Sequence, residues 1–125
     1  MKPSSIAFAV YSVKNIDISR KFYESVLGFT PESVWVDEEK GTGFIEYGFG
    51  PDNMHTLAIG TEREGFLPGK GGATVAVEVE DFDVAIKALR DAHVKFMLEP
   101  IETGSCHMAC VFDPDENILM IHKRK

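Results

Sequence analysis

At 125 residues the chain has the size of one domain, long enough to bury roughly two-thirds of its unfolded surface. With 44% hydrophobic and 26% charged residues, and no apolar run near the ~20 residues that span a bilayer, it reads as globular rather than membrane-spanning or disordered. A net charge of −7 argues against nucleic acid as a partner, because phosphate binding needs a basic face, and the one basic cluster, His122-Lys123-Arg124-Lys125, reads as a solvated end.

The N-terminal Met-Lys-Pro-Ser-Ser lacks the apolar run of a secretory signal, so the expected location is the cytoplasm. Ile6 to Val13 reads as the first strand. A helix is expected from about Asp17 to Leu27, with Asp17 as N-cap, Gly28 as its stop, and Ile18, Phe22 and Val26 on one face. Strands follow at Ser33–Asp37, Phe44–Phe49 and His55–Gly60, separated by turns at 38–43 and Gly50-Pro51-Asp52-Asn53. Arg63 to Gly72, with Pro68 and the glycines Gly65, Gly69, Gly71 and Gly72, is a linker by composition.

The second half repeats this order. Val75, Val77 and Val79 alternate as in a half-buried strand, read over Ala73–Val79. The period then becomes helical from about Asp83 to Ala92, through Val84, in part Ile86, Ala88, Leu89 and Ala92. His93 stands where a glycine cap is expected. Strands at Lys95–Glu99, Cys106–Phe112 and Ile118–His122 complete it, with a loop at 100–105 and a turn at 113–117. Phe8 to Asn15 aligns with Thr74 to Asp81 at an offset of 66 residues, so one strand–helix unit is used twice. Cys106 and Cys110, four residues apart on one strand, lie roughly 13 Å from each other, too far to bridge. Reduced thiols fit a cytosolic protein.

These residues resemble the vicinal oxygen chelate superfamily, which includes glyoxalase I, extradiol dioxygenases, fosfomycin resistance enzymes and bleomycin resistance proteins. The resemblance rests on Asn15 followed by Phe22-Tyr23 and Leu27-Gly28-Phe29, on Val79-Glu80-Asp81 opening the second helix, and on Asp113-Pro114-Asp115-Glu116-Asn117. In that last turn Glu116 takes the place of the family's glycine. The implied fold is α+β: two βαβββ modules forming curved mixed sheets around a cup, with helices on the outer face. Residues 1–125 then form a single domain, with module 1 at about 1–62, linker 63–72 and module 2 at about 73–125.

Metal enzymes of this family bind a divalent ion in the cup, through first and last strands of each half. The resemblance maps those positions onto Phe8, Thr74, Met120 and either Thr56 or Ala58. None carries an imidazole or carboxylate, so no metal ligands and no cofactor are expected. By alternation Phe8, Val10, Thr74 and Glu78 face the cup, and the resemblance adds Met120 and, on the strand before it, Cys106, Met108, Cys110 and Phe112, giving an aromatic, aliphatic and sulfur-rich lining that either receives a small molecule or fills a closed core. The sulfur atoms read as apolar lining rather than as a soft-ion site. Trp35 either stacks on a planar or cationic ligand or covers a dimer seam, and Phe44 shares a face with Glu46. Glu46 and Glu78 each either meet a cationic group or sit at an exposed edge. His55 is expected on the helix side, and His107 on the face opposite the thiols.

The expected function is that of a metal-free small-molecule-binding protein of the bleomycin resistance type. It would hold an aromatic or cationic ligand in the cup as a resistance or sequestering protein, and form a homodimer. The alternative is a metal-independent enzyme, a lyase, isomerase or dioxygenase relative, using Glu46 or Glu78 as acid or base.

Overall fold

The computed structural model describes residues 1–2 and 6–125; Pro3, Ser4 and Ser5, part of the N-terminal stretch read for a missing signal, lie outside the described residues. The chain divides into two compact units, Met1–Pro68 and Gly69–Lys125. Among the described residues each is a four-stranded mixed sheet with one long helix, and the first also has a single 3-10 turn at Pro51–Asn53.

In the first unit the strands are β1 (Ala9–Val13), β2 (Pro31–Asp37), β3 (Thr42–Phe49) and β4 (His55–Thr61), in the order β1-β4-β3-β2. β1 and β4 run parallel, and the other pairs are antiparallel. In the second unit β5 (Val75–Glu78), β6 (Phe96–Glu102), β7 (Cys106–Phe112) and β8 (Ile118–Arg124) take the equivalent order β5-β8-β7-β6. Parallel β1–β4 and β5–β8 pairs need a long crossover, which the helix and the intervening strands provide.

The repeat extends to the capping chemistry. Helix α1 (Ile16–Arg20) is capped by Asn15, whose Oδ1 accepts from the Ile18 N–H at 3.0 Å. Helix α2 (Phe82–Asp91) is capped by Asp81, whose Oδ1 accepts from the Val84 N–H at the same 3.0 Å. The expected N-cap at Asp17 is therefore corrected to Asn15, and Asp17 instead places its carboxylate in the first turn. The buried stripe also differs from the expected one. Ile16, Ser19, Phe22 and Tyr23 are buried in the first helix, and Phe82, Ile86 and Leu89 in the second. Ile18 and Val84, expected in the packed face, occupy matching outer positions and are 55% and 65% exposed. After Arg20 the first helix widens over Lys21–Val26, where the Leu27 N–H reaches the Phe22 carbonyl five residues back.

The strand faces divide as the alternation requires. Tyr11, Val13, Ile45, Tyr47, Leu57 and Ile59 are buried on the helix side of the first sheet. The Tyr23 and Tyr47 rings stack there at 5.9 Å, with Phe29 edge-on to Tyr47 at 5.8 Å. Ala109, Val111, Leu119 and Ile121 do the same in the second. His55 pairs with Phe49 on the side of Leu57 and Ile59, and the His107 ring lies 5.6 Å from Phe82; both thus sit on the helix side.

One expected loop is a strand instead. β6 runs on through Pro100 to Glu102, with register shifts along its pairing to β7. Proline is accommodated because β6 is an edge strand, where a missing N–H breaks no second ladder.

Both helices end on a left-handed residue, Gly28 at φ +74° and His93 at φ +57°. At the second, the His93 N–H bonds the Arg90 carbonyl and the Val94 N–H bonds the Leu89 carbonyl, the paired closure of a Schellman motif. Glu116, in the turn before β8, has φ +66°. A side chain with a Cβ is strained in this region, whereas glycine is not. His93→Gly and Glu116→Gly are each expected to stabilise the protein by about 0.5–1 kcal/mol, read as a higher denaturation midpoint. A lowered midpoint in both variants would contradict this account of the two turns.

Candidate functional site

With one long helix per unit, each sheet keeps a face that its own helix does not cover. In the first unit two cross-strand rungs define that face. One runs Val10–Ala58–Glu46–Ser33, and the next runs Ser12–Gly60–Phe44–Trp35. A cavity of about 520 Å³ opens on it, walled by Phe8, Val10, Trp35 and Phe44 and rimmed by Thr42, Thr61, Glu62, Arg63 and Phe66. The Phe8 ring meets Phe44 edge-on at 6.0 Å. Trp35 lines the cavity while remaining 57% exposed, which leaves indole surface free for an occupant.

Gly60 makes room for this arrangement. A Cβ there would come within 2.9 Å of the Phe44 ring, so any side chain would displace the ring. The segment read as linker supplies the rim. Arg63 and Phe66 bond each other's backbones in a tight turn around Gly65, and the guanidinium lies 4.7 Å from the Phe66 ring centroid. Composition marked this stretch as a linker and gave no sign that it would close onto the cavity. The rim thus holds one carboxylate, Glu62, and one guanidinium, Arg63. Glu46, one rung away, adds a second carboxylate to the same face.

Of the eleven residues expected at the site, the cavity brings together Phe8, Val10, Trp35 and Phe44, and Glu46 stands on the neighbouring rung. Thr74, Glu78, Met108, Cys110, Phe112 and Met120 belong to the second unit. There Ala76–Met120–Cys110–Leu98 and Glu78–His122–Met108–Ile101 form the equivalent rungs. Cys110 is buried, and burial pushes its thiol pKa up, as for an inert apolar filler. The Phe112 ring is already approached by two ammonium groups, Lys70 at 5.3 Å and Lys95 at 5.4 Å.

Glu78 is engaged rather than free. One oxygen accepts from the Arg124 backbone N–H at 2.7 Å, and the other lies 2.5 Å from His122 Nδ1. The Arg124 N–H, followed by the His122 hydrogen bond, holds the Glu78 carboxyl below its ordinary range. The same pairing, with Glu78 as the largest cause, raises His122.

The donor chemistry for a divalent ion can be tested directly. Ala76 pairs with Met120 as Val10 pairs with Ala58, so the first-half counterpart of Met120 is Ala58, not Thr56. Phe8, Ala58, Thr74 and Met120 offer a ring, a methyl, a hydroxyl and a thioether, which do not fit a hard or borderline cation. Among the described residues no three His, Cys, Asp or Glu side chains are grouped to hold a metal ion. Nor, among them, is any helix long and apolar enough to cross a membrane.

Residues 5–121 match the family model described as the glyoxalase/bleomycin resistance protein/dioxygenase superfamily. Among solved structures, the chain is similar to the genomically encoded fosfomycin resistance protein FosX from Listeria monocytogenes, at a TM-score of 0.77 and 12% identity over 99% of this chain and 96% of that one. It is also similar to the trypanothione-dependent glyoxalase I of Leishmania major, with a TM-score of 0.71 and 23% identity over 97% and 87% of the two chains. A glyoxalase family protein from Enterococcus faecalis gives a TM-score of 0.69 and 22% identity over 95% and 97%. Identities this low carry the fold alone. No curated protein matches the chain.

The Glu78–His122 pair has a defined pH window. His122 is raised from 6.5, so its share of the stabilisation is complete below pH 6.5 and is lost as pH rises through the raised value. Glu78 is lowered from 4.5, so its share is complete above pH 4.5 and is lost as pH falls through the lowered value. In an NMR titration His122 should therefore show a midpoint above 6.5, and Glu78→Gln should bring it down. A wild-type midpoint at or below 6.5 would contradict the pairing.

Proposed function

Given that the chain belongs to the glyoxalase/bleomycin resistance protein/dioxygenase superfamily, whose members bind small molecules or act as enzymes, we propose that it is a metal-free binding protein that holds an aromatic or cationic small molecule on the open face of its first sheet. The observation that carries this reading is the cavity of about 520 Å³ between Phe8, Val10, Trp35 and Phe44. Its size falls in the range of ligand pockets, and its walls are apolar with few polar groups at the rim. Packing one aromatic ring against these walls contributes a few kcal/mol, at roughly 25 cal/mol per Å² of apolar surface removed from water. Glu46 and Glu62 against Arg63 leave an excess of negative charge around the opening, which favours a cation. The protein would act by sequestration in a reducing cytoplasm, in keeping with its two unbridged cysteines.

The enzymatic alternative rests on a cup carboxylate. Glu78 is held ionised by its partners, which suits it to orienting a base more than to donating a proton. Glu46 is then the acid–base group such an enzyme would use, on the rung next to Phe44.

Trp35 is the only tryptophan, so its fluorescence reports the cavity directly. Bleomycin, a cation with a planar heteroaromatic tail, is expected to quench it in a saturable titration. Phe44→Ala should weaken binding about tenfold or more and Glu46→Gln several-fold, and the ligand-free protein dialysed against Ni²⁺, Zn²⁺ or Mn²⁺ should retain no stoichiometric ion. The planar anion anilinonaphthalene sulfonate should bind more weakly. Equal quenching by anion and cation, unaffected by Glu46→Gln, would remove the charge preference. A stoichiometric ion required for binding would overturn the metal-free reading.

We also propose a homodimer, since exposed apolar side chains such as Leu67, Val34 and Ile18 remain outside the cavity lining and symmetric pairing is the commonest oligomeric state. Sedimentation at micromolar concentration should give about twice the chain mass of 13.9 kDa, and a monomer would refute the proposal.

A further inference from the structure

The second sheet carries a group of side chains that the cavity does not use. β7 pairs antiparallel to β8 with Cys106 opposite Arg124 and Met108 opposite His122. Cys106 and His122 are therefore diagonal neighbours on one face, within reach of each other's side chains. His122 is anchored from its far side, where Nδ1 lies 2.5 Å from Glu78, and Glu78 is itself fixed by the Arg124 N–H at 2.7 Å. On the other side of the thiol, Thr103 Oγ1 sits 3.3 Å from Cys106 Sγ. Cys106 is only partly buried, unlike Cys110.

A thiol, an imidazole beside it and a carboxylate orienting the imidazole are the three parts of an activated sulfur nucleophile. The surroundings favour the thiolate. Chiefly the Thr103 hydroxyl, and then His122 through hydrogen bonding and charge, hold the Cys106 thiol below its ordinary range. Glu78 first and Cys106 next raise the His122 pKa, which favours the imidazole as the acceptor of the sulfur's proton. We propose that Cys106, with His122 and Glu78, forms a reactive thiolate–imidazolium site that adds to small electron-poor alkenes such as α,β-unsaturated carbonyls.

The remaining geometry selects this class of electrophile. Acyl transfer needs N–H donors aimed at a developing oxyanion. Here the Ser105 and Cys106 N–H groups are both spent on Thr103 Oγ1, at 3.2 and 3.1 Å. Disulfide chemistry with Cys110 is excluded by the spacing of roughly 13 Å along β7. Conjugate addition spreads the developing charge over the α-carbon and the carbonyl oxygen, where protonation from His122 can neutralise it without a pair of N–H donors. The sulfur lone pair forms an S–C bond at the β-carbon, and the alkene π pair moves onto the α-carbon and carbonyl. The proton on His122 is then delivered to the α-carbon. One S–H is consumed across one C=C, with no leaving group, oxidant or water.

The test uses the full-length protein with acrylamide and with iodoacetamide, followed by intact mass and peptide mapping at pH 7. Acrylamide is expected to label Cys106 at least about tenfold faster than it labels free glutathione, and Cys110→Ala should label at the same rate as the wild type. His122→Gln should slow acrylamide addition about tenfold or more, and Glu78→Gln should slow it by less. Because iodoacetamide alkylation requires no proton delivery, His122→Gln should slow it less than the acrylamide reaction. The rate–pH profile for Cys106 should move to higher pH in His122→Gln, and circular dichroism should show both variants folded. Labelling no faster than glutathione would overturn the proposal, as would an unchanged rate in folded His122→Gln. Equal slowing of both reagents would overturn the proton-delivery step.

Discussion

Two-fold periodicity along the strands is the constraint on which the rest depends. Val13, Ile45 and Ile59 must cover the helix, so Ser12, Phe44 and Gly60 necessarily point the other way. A shift of one residue in any ladder would exchange these sets and expose the core. With one long helix per unit the second face has no cover from its own helix. The open face is thus a consequence of the unit's composition, and the only freedom left is which side chains to place there.

The two units have used that freedom differently. The first places Phe8, Val10, Trp35 and Phe44 around an opening and clears its floor with Gly60. The second fills the equivalent rungs with Met120, Cys110 and Leu98, and lays a polar chain of Glu78, His122 and Cys106 beside them. The frame, down to the paired caps Asn15 and Asp81, is shared, so the difference lies in side chains pointing away from the helices. That is why family membership constrains the chemistry so weakly: the features that define the fold lie on one face, and the features that define a site lie on the other.

The fold was legible because its signals are local and repeated. Val75-Val77-Val79 and the 66-residue offset between Asn15 and Asp81 imply the strand–helix unit without tertiary information. The helix starts at Asn15 rather than Asp17, a choice sequence leaves open because both residue types cap well and only the backbone conformation shows which one does. β6 was cut short at Pro100 because proline usually ends a strand, and its place at the sheet edge is a topological fact. The apolar wall could be read from alternation. The rim at Arg63 and Phe66 could not, since a turn's direction depends on the positive φ of Gly65 and not on a periodic pattern. The Cys106–His122 neighbourhood escaped for a related reason. His107 is adjacent in sequence but points to the opposite face, whereas His122 becomes a neighbour only through the β7–β8 register.

The way the ladders close has a consequence for synthesis of the chain. Every strand pairing among the described residues joins β1–β4 with one another or β5–β8 with one another. Once Thr61 has emerged from the ribosome, the first sheet has all of its hydrogen-bonding partners, and no N-terminal strand waits for a C-terminal one. Its parallel β1–β4 pair closes over fewer than half the residues of the chain, which keeps the loop-closure entropy of the slowest pairing small. The nascent first half can therefore zip its sheet while the second is still being translated.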